Sequence, residues 1–242
     1  MLHLLLAVIY LSFISLGLPD AVLGAAWPTI YQGFGVPLSY SGVVACIISV
    51  GTVISSLQSD RLTRRFGAGA VTAASVAMTA LALLGFSVSH SFGALCVWAV
   101  PYGLGAGSVD AALNNYVALH FASRHMSWLH CMWGVGASLG PYIMGAVLTR
   151  GLGWHTGYRL IGGIQLLLTV IIFLSLPLWK KQVKGSDAAP EVCARPLSLQ
   201  QILQIPGVKQ VLVMFFCYCA LEQTAGLWAS SYLVLYLSLI HI

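Results

Sequence analysis

The chain has 242 residues, 59% of them hydrophobic and 7% charged, with a mean hydropathy of +0.89. A soluble domain of that composition would have no surface to offer water, so the chain reads as an all-α, polytopic membrane protein in contact with a lipid bilayer. Its net charge of +5 is small and scattered over loops, which carries topology information and argues against a nucleic-acid partner. The six cysteines fall mostly in apolar stretches without metal-ligand spacing. Cys217 and Cys219 stand two apart on one predicted helix and so face apart; the thiols read as small buried hydrophobes, and no metal or other cofactor is expected.

Seven membrane spans are predicted in order. Residues 1–18 lack a basic leading region and a small-residue cleavage site, so they belong to a retained span and not to a signal peptide. That first span, from about Leu4 to Ile30, is interrupted at Gly17-Leu-Pro19-Asp20 and again at Gly24 and Trp27-Pro28. An acid directly after a proline at this depth is tolerable only against protein or water. Span two runs from about Tyr40 to Leu57 and is followed by a dense charge run, Ser59-Asp60-Arg61-Leu-Thr63-Arg64-Arg65. Span three covers roughly Ala68 to Val88 and span four Ser91 to Leu119.

Span four carries Tyr102-Gly-Leu-Gly-Ala-Gly-Ser-Val-Asp110-Ala-Ala-Leu-Asn114-Asn115. A charge at bilayer depth costs about 2.5 to 3.5 kcal/mol on insertion scales, so Asp110 needs a compensating role. Asp110 and Asn114 share a helix face, Asn115 lies about 100° further round, and the preceding glycines permit close approach of a neighbouring helix. His120, Arg124 and His125 mark the next loop; span five, about Trp128 to Leu148, contains His130, Trp133, Gly136 and Gly140-Pro141. Span six runs from about Tyr158 to Trp179, and residues 180–207 read as a solvated basic linker. Span seven covers about Val208 to Tyr236, with Glu222 near its middle.

The even-numbered connections carry Arg61, Arg64, Arg65, Arg124, Lys180, Lys181, Lys184 and Arg195, whereas the others carry only Arg150 and Arg159. The positive-inside rule places the N-terminus and the long linker in the cytoplasm.

Three of the six acids, Asp20, Asp110 and Glu222, fall within spans. A carboxyl removed from water holds a proton more readily, so such groups suit proton coupling with H+ as the coupling ion. Asn114, Asn115, Gln165 and His130 could pair with the hydroxyls of a small polar solute, and Trp133, Tyr158 or Trp228 could supply a flat apolar surface.

Six spans, a long basic linker and a further span resemble the first half of a major facilitator superfamily transporter. The run Ser56-Leu-Gln-Ser-Asp60-Arg61-Leu-Thr63-Arg64-Arg65 is similar to that superfamily's loop signature between spans two and three, G-x-x-x-D-R-x-G-R-R, with Ser56 and Thr63 in place of its glycines. The resemblance implies a gating role for Asp60, Arg61, Arg64 and Arg65. Within the superfamily, four features resemble the fucose-permease-like sugar:proton symporters: Gly17-Leu-Pro19-Asp20 through Trp27-Pro28, Asp110-Ala-Ala-Leu-Asn114, His130-x-x-Trp133-Gly134-x-Gly136-x-x-x-Gly140-Pro141, and Tyr218-x-x-x-Glu222 with Trp228. That implies proton coupling and sugar binding at Asp20 and Asp110, and residence in a bacterial-type inner (plasma) membrane.

Two other readings stand beside it. The glycine–proline pattern of span five also matches part of a motif of drug–proton antiporters, although Pro101 stands about where that branch has an arginine. Gly136-Ala-Ser138-Leu-Gly140 formally fits the G-x-S-x-G of serine hydrolases, but that motif needs a strand–turn–helix elbow and here lies in a continuous apolar stretch.

The expected organisation is a six-helix bundle over 1–179, a cytoplasmic linker over 180–207, and a seventh helix over 208–236 that begins a C-terminal bundle. Residues 237–242, Leu-Ser-Leu-Ile-His-Ile, resemble a translated library adapter and are expected to be a non-native tail. Transporters of this kind place their site between two six-span halves. Transport is therefore expected to need a missing C-terminal half, the alternative being a short natural protein that dimerises to complete the site.

Overall fold

A computed structural model describes residues 2–185 and 199–237. Among these residues the chain is helical throughout, without a strand: α1 (Leu2–Gly17), α2 (Val22–Phe34), α3 (Tyr40–Phe66), α4 (Ala68–Ser87), α5 (Phe92–His120), α6 (Ser123–Thr149), α7 (Trp154–Gly185), α8 (Leu199–Gln204) and α9 (Val208–Tyr236). Seven spans long and apolar enough to cross a bilayer result, with α1 and α2 together forming the first, Leu4–Phe34. The chain is a polytopic membrane protein of the all-α class, as its composition requires.

The first span breaks once, not twice. At Pro19 the helical ladder lapses into a turn, in which the Asp20 amide donates to the Gly17 carbonyl at 3.1 Å and the Val22 amide to Pro19 at 3.3 Å. Gly24 and Pro28, by contrast, lie inside the continuous α2. The carbonyl that Pro28 leaves without an amide partner is that of Gly24, one turn earlier, where the absence of a side chain lets another backbone come close.

A second correction concerns the charge run. Asp60, Arg61, Arg64 and Arg65 are not in a loop but on the last turns of α3, which continues to Phe66. Arg64 pairs with Asp60 at 2.9 Å in an i,i+4 arrangement that favours the helical state. The connection to α4 is Gly67 alone, whose φ of +85° suits a residue without a Cβ. The expected loop around His120, Arg124 and His125 likewise shrinks to residues 121 and 122, because α5 ends at His120 and α6 begins at Ser123. In the expected linker, α7 persists to Gly185 and α8 covers Leu199–Gln204. Arg195, and residues 238–242 of the expected tail, lie outside the described residues.

Packing is closest where small residues face one another. The most extensive contacts are α3 on α5, α4 on α7, α4 on α5 and α1 on α6. Between α3 and α5, Thr52 Oγ1 donates to the Gly103 carbonyl at 3.3 Å, Ser56 Oγ to Gly107 at 3.0 Å and Ser59 Oγ to Ser108 at 3.1 Å. These bonds form because Gly51 and Gly103 bring the two backbones together: a Cβ on Gly51 would stand 3.2 Å from the Gly103 backbone. On α6, Gly136 and Gly140 lie against the backbone of Ile14 and Leu18, so the glycine pattern there serves helix packing.

Two apolar clusters fill the bundle. One gathers Trp27, Ile30, Phe86, Tyr102, Trp154 and Tyr158; the other gathers Ile9, Phe13, Val109, Leu113, Leu129 and Trp179. Trp27 donates through Nε1 to the Leu38 carbonyl at 2.7 Å, tying the α2–α3 loop to the first of them. Helix α9 leans mainly on α2, where Gly24 faces the backbone of Gly226 and Leu227. The first half of α9, from Lys209 to Tyr218, is exposed, whereas Ser231 in its second half is buried.

Candidate functional site

Asp20 leaves the α1–α2 turn near the midpoint of the first span, flanked in the chain by Leu18 and Val22 of the first apolar cluster. The unwound turn matters here. It frees backbone from the helical ladder and points a carboxyl into the bundle at mid-depth, a placement tolerated only where backbone lines a protein cavity. From α9, the Gln223 side chain hydrogen-bonds Asp20, and Asp20 lies within electrostatic reach of Glu222 and Asp110. Tyr102 of α5, 7% exposed, lies near the same carboxyl and near Tyr158 of α7.

Asp110 stands on α5 with Asn114 one turn on. The Asn114 amide donates from Nδ2 to Asp110 Oδ1 at 2.9 Å and to its carbonyl at 3.1 Å. His130 of α6 lies within electrostatic reach of Asp110, and its ring meets Phe13 edge-on with centroids 5.8 Å apart. Glu222, midway along α9, hydrogen-bonds Tyr218 and lies near Cys219. Trp133 and Trp228 are half-buried; Trp133 packs against the second apolar cluster, while Trp228 follows Leu227, the residue that meets Gly24.

Asp20 thus lies within electrostatic reach of both other intramembrane acids, Asp110 and Glu222, which come from separate segments. Asn114 and His130 are neighbours of Asp110.

Two predicted residues lie elsewhere. Asn115, about 100° round the helix from Asn114, lines a separate pocket of about 200 Å³ between α3 and α5 with Ser56, Ser59, Asp60 and Thr63. Gln165 is 1% exposed and donates through Nε2 to Thr79 Oγ1 at 3.0 Å, in the contact between α7 and α4. It fastens two helices of the bundle through Nε2, while its Oε1 is buried without a hydrogen-bond partner.

Neither Gln223 nor a role for Tyr102 is read from the sequence. Gln223 had a signal, a second polar group beside Glu222 in an otherwise apolar span. Tyr102 had none, since a tyrosine in such a span is unremarkable until its neighbours are known.

Ser138 lies on continuous α6, exposed, with Oγ donating back to the Gly134 carbonyl at 2.9 Å. No elbow lifts it from the helix, and no acid–base partner bonds to it among the described residues. Ser138→Ala is expected to leave activity within about twofold, because one exposed intrahelical hydroxyl bond is worth only a few tenths of a kcal/mol. A transport assay of that variant checks this, and loss of activity would reopen the hydrolase reading.

Among the described residues no cluster of three or more metal-ligating side chains occurs. Residues 9–241 match the family model for the Major Facilitator Superfamily. No match was found among curated proteins.

Proposed function

The chain belongs to the major facilitator superfamily of secondary transporters, and from that premise we propose that it serves proton-coupled uptake of a sugar or similar small polar solute. The observation that carries this reading is that Asp20, within the first span, lies within electrostatic reach of Asp110 and Glu222 on two other spans. Charges so placed are costly and mark ion or proton pathways. A carboxyl hydrated from one side in one state and from the other side in the next can load and unload a proton in each cycle, which couples proton flow to the change of state.

On this reading Asp20 and Asp110 carry the coupling and Glu222 modulates it across the cleft. Asn114 and His130 pair with solute hydroxyls, while Trp133 and Trp228 offer aromatic faces. The unwound turn at Pro19 resembles the broken helices that line transporter sites. The resemblance of four sequence features to those of fucose-permease-like symporters favours a sugar. In this proposal a C-terminal six-span bundle, of which α9 is the first helix, closes the site from the opposite side.

The test is sugar-induced alkalinisation of a lightly buffered suspension of cells producing the transporter with both halves. A panel of sugars is expected to include at least one that raises external pH as it enters. Sugar uptake without any pH change would refute the coupling; pH changes driven only by amphipathic drugs, in the opposite direction, would favour efflux.

A further inference from the structure

Away from the acid centre, α3, α4 and α5 enclose a groove of about 460 Å³ that opens on the outer surface of the bundle. Its α3 wall is one helical stripe, Ile54, Gln58, Leu62 and Phe66, and its α4 wall includes Ala74 and Met78. Twelve residues of helix separate Ile54 from Phe66, about 18 Å of rise. That is close to the depth of one bilayer leaflet, about 15 Å of hydrocarbon. Apart from Gln58 and a few serines the lining is apolar, so the groove offers an acyl chain a continuous surface and a polar solute almost no partners.

The charges at one end of this groove are unevenly satisfied. Arg64 is held by Asp60 through a 2.9 Å ion pair and a 3.1 Å bond from Nε. Arg61 and Arg65 share the helix with Leu62 and Phe66 and are exposed; neither has a carboxylate partner among the described residues. The Arg65 guanidinium lies 5.3 Å from the centroid of the Phe66 ring, and Phe66 itself lines the groove. An apolar trough about one leaflet long thus ends beside two cations with no counterion among the described residues.

We propose that this groove binds an anionic phospholipid, its acyl chain lying along α3 and α4 and its phosphate meeting Arg61 and Arg65. Charge complementarity selects this occupant. A second copy of the chain or a helix of another protein would need an acid opposite the arginines, whereas every anionic phospholipid brings the phosphate and the chain together. Basic residues at the membrane surface favour anionic over neutral lipid by roughly fivefold each.

The binding is measurable on the chain alone and does not depend on the transport reading. Native mass spectrometry of the detergent-solubilised protein, titrated with 16:0–18:1 phosphatidylglycerol or with the matching phosphatidylcholine, is expected to show at least tenfold tighter retention of one phosphatidylglycerol. Arg61→Gln with Arg65→Gln should abolish the preference and leave weak retention of both lipids. Ala74→Trp, an exposed position within the groove, should block both, with circular dichroism confirming that the helices persist. Equal retention of the two lipids by the wild type would overturn the proposal, as would a preference that survives the double arginine substitution. A homodimer whose contact covers Phe66 and excludes lipid would overturn it too.

Discussion

Asp20→Asn and Asp110→Asn are each expected to abolish accumulation of the solute against its gradient. Asparagine keeps the size and hydrogen-bonding reach of aspartate but cannot bind and release a proton. A proton moving through about 100 mV delivers about 2.3 kcal/mol, enough for roughly a fiftyfold concentration ratio across the membrane. Either variant should bring that ratio to about one. Counterflow of labelled against unlabelled solute needs no net proton movement, so it should continue at a comparable rate in the variant whose carboxyl serves only the proton. The variant that loses counterflow as well identifies the acid that also holds the solute. Asp110 is the candidate for the double role, since Asn114 donates to its Oδ1 at 2.9 Å and His130 adjoins it. Accumulation and solute-driven alkalinisation that persist in both variants would remove the proton from the mechanism. Glu222→Gln adds a third arm. Glu222 bonds Tyr218 on its own helix and reaches Asp20 only through space, so its loss should shift the pH at which transport is half-maximal without ending it.

Much of this arrangement was legible in the chain because the bilayer leaves few choices. Seven long apolar stretches must be helices, and span seven, Val208–Tyr236, fell where its composition placed it. Three acids fall in apolar stretches, and in the structure Asp20 lies within electrostatic reach of the other two. What composition could not supply is the rotational phase of each helix. Asn114 and Asn115 are adjacent in sequence, yet one bonds Asp110 and the other lines the pocket beside Asp60. Gln165 Nε2 finds its partner, Thr79, 86 residues away on another helix, which its own stretch does not show. A polar residue within a span must find some partner, and sequence does not say whether that partner is solute or scaffold. The charge run was misjudged for a different reason. Arginines after an apolar stretch resemble a loop in composition, but Arg61, Arg64 and Arg65 are good helix formers, and α3 ends only where Gly67 permits a positive φ.

The same α3–α5 contact yields the largest expected effect on stability. Gly103→Leu should be severely destabilising, because the new Cβ would run into the Ile48 carbonyl, a backbone atom that cannot rotate away. Relief requires the two helices to separate, which would also stretch the bonds from Thr52 to Gly103 and from Ser56 to Gly107, now 3.3 and 3.0 Å. Overpacking at a tight contact costs about 1 to 3 kcal/mol and more when backbone must move, so a loss of about 3 kcal/mol is expected. Thr52→Val deletes one of the bonds and keeps the shape. Interhelical hydrogen bonds in membrane proteins average about 0.6 kcal/mol, and the Thr52 hydroxyl also has the Ile48 carbonyl on its own helix at 3.0 Å, so its cost should be smaller still. Thermal unfolding in detergent, followed by tryptophan fluorescence, separates the two variants directly. A large fall for Gly103→Leu with almost none for Thr52→Val means that close backbone packing holds α3 to α5 and the hydroxyl bonds follow from it. Equal falls would mean that the hydroxyls set the contact. Asp110 shares α5 with Gly103 and Gly107, so whichever force seats that helix against α3 also fixes the direction in which the carboxyl faces Asp20.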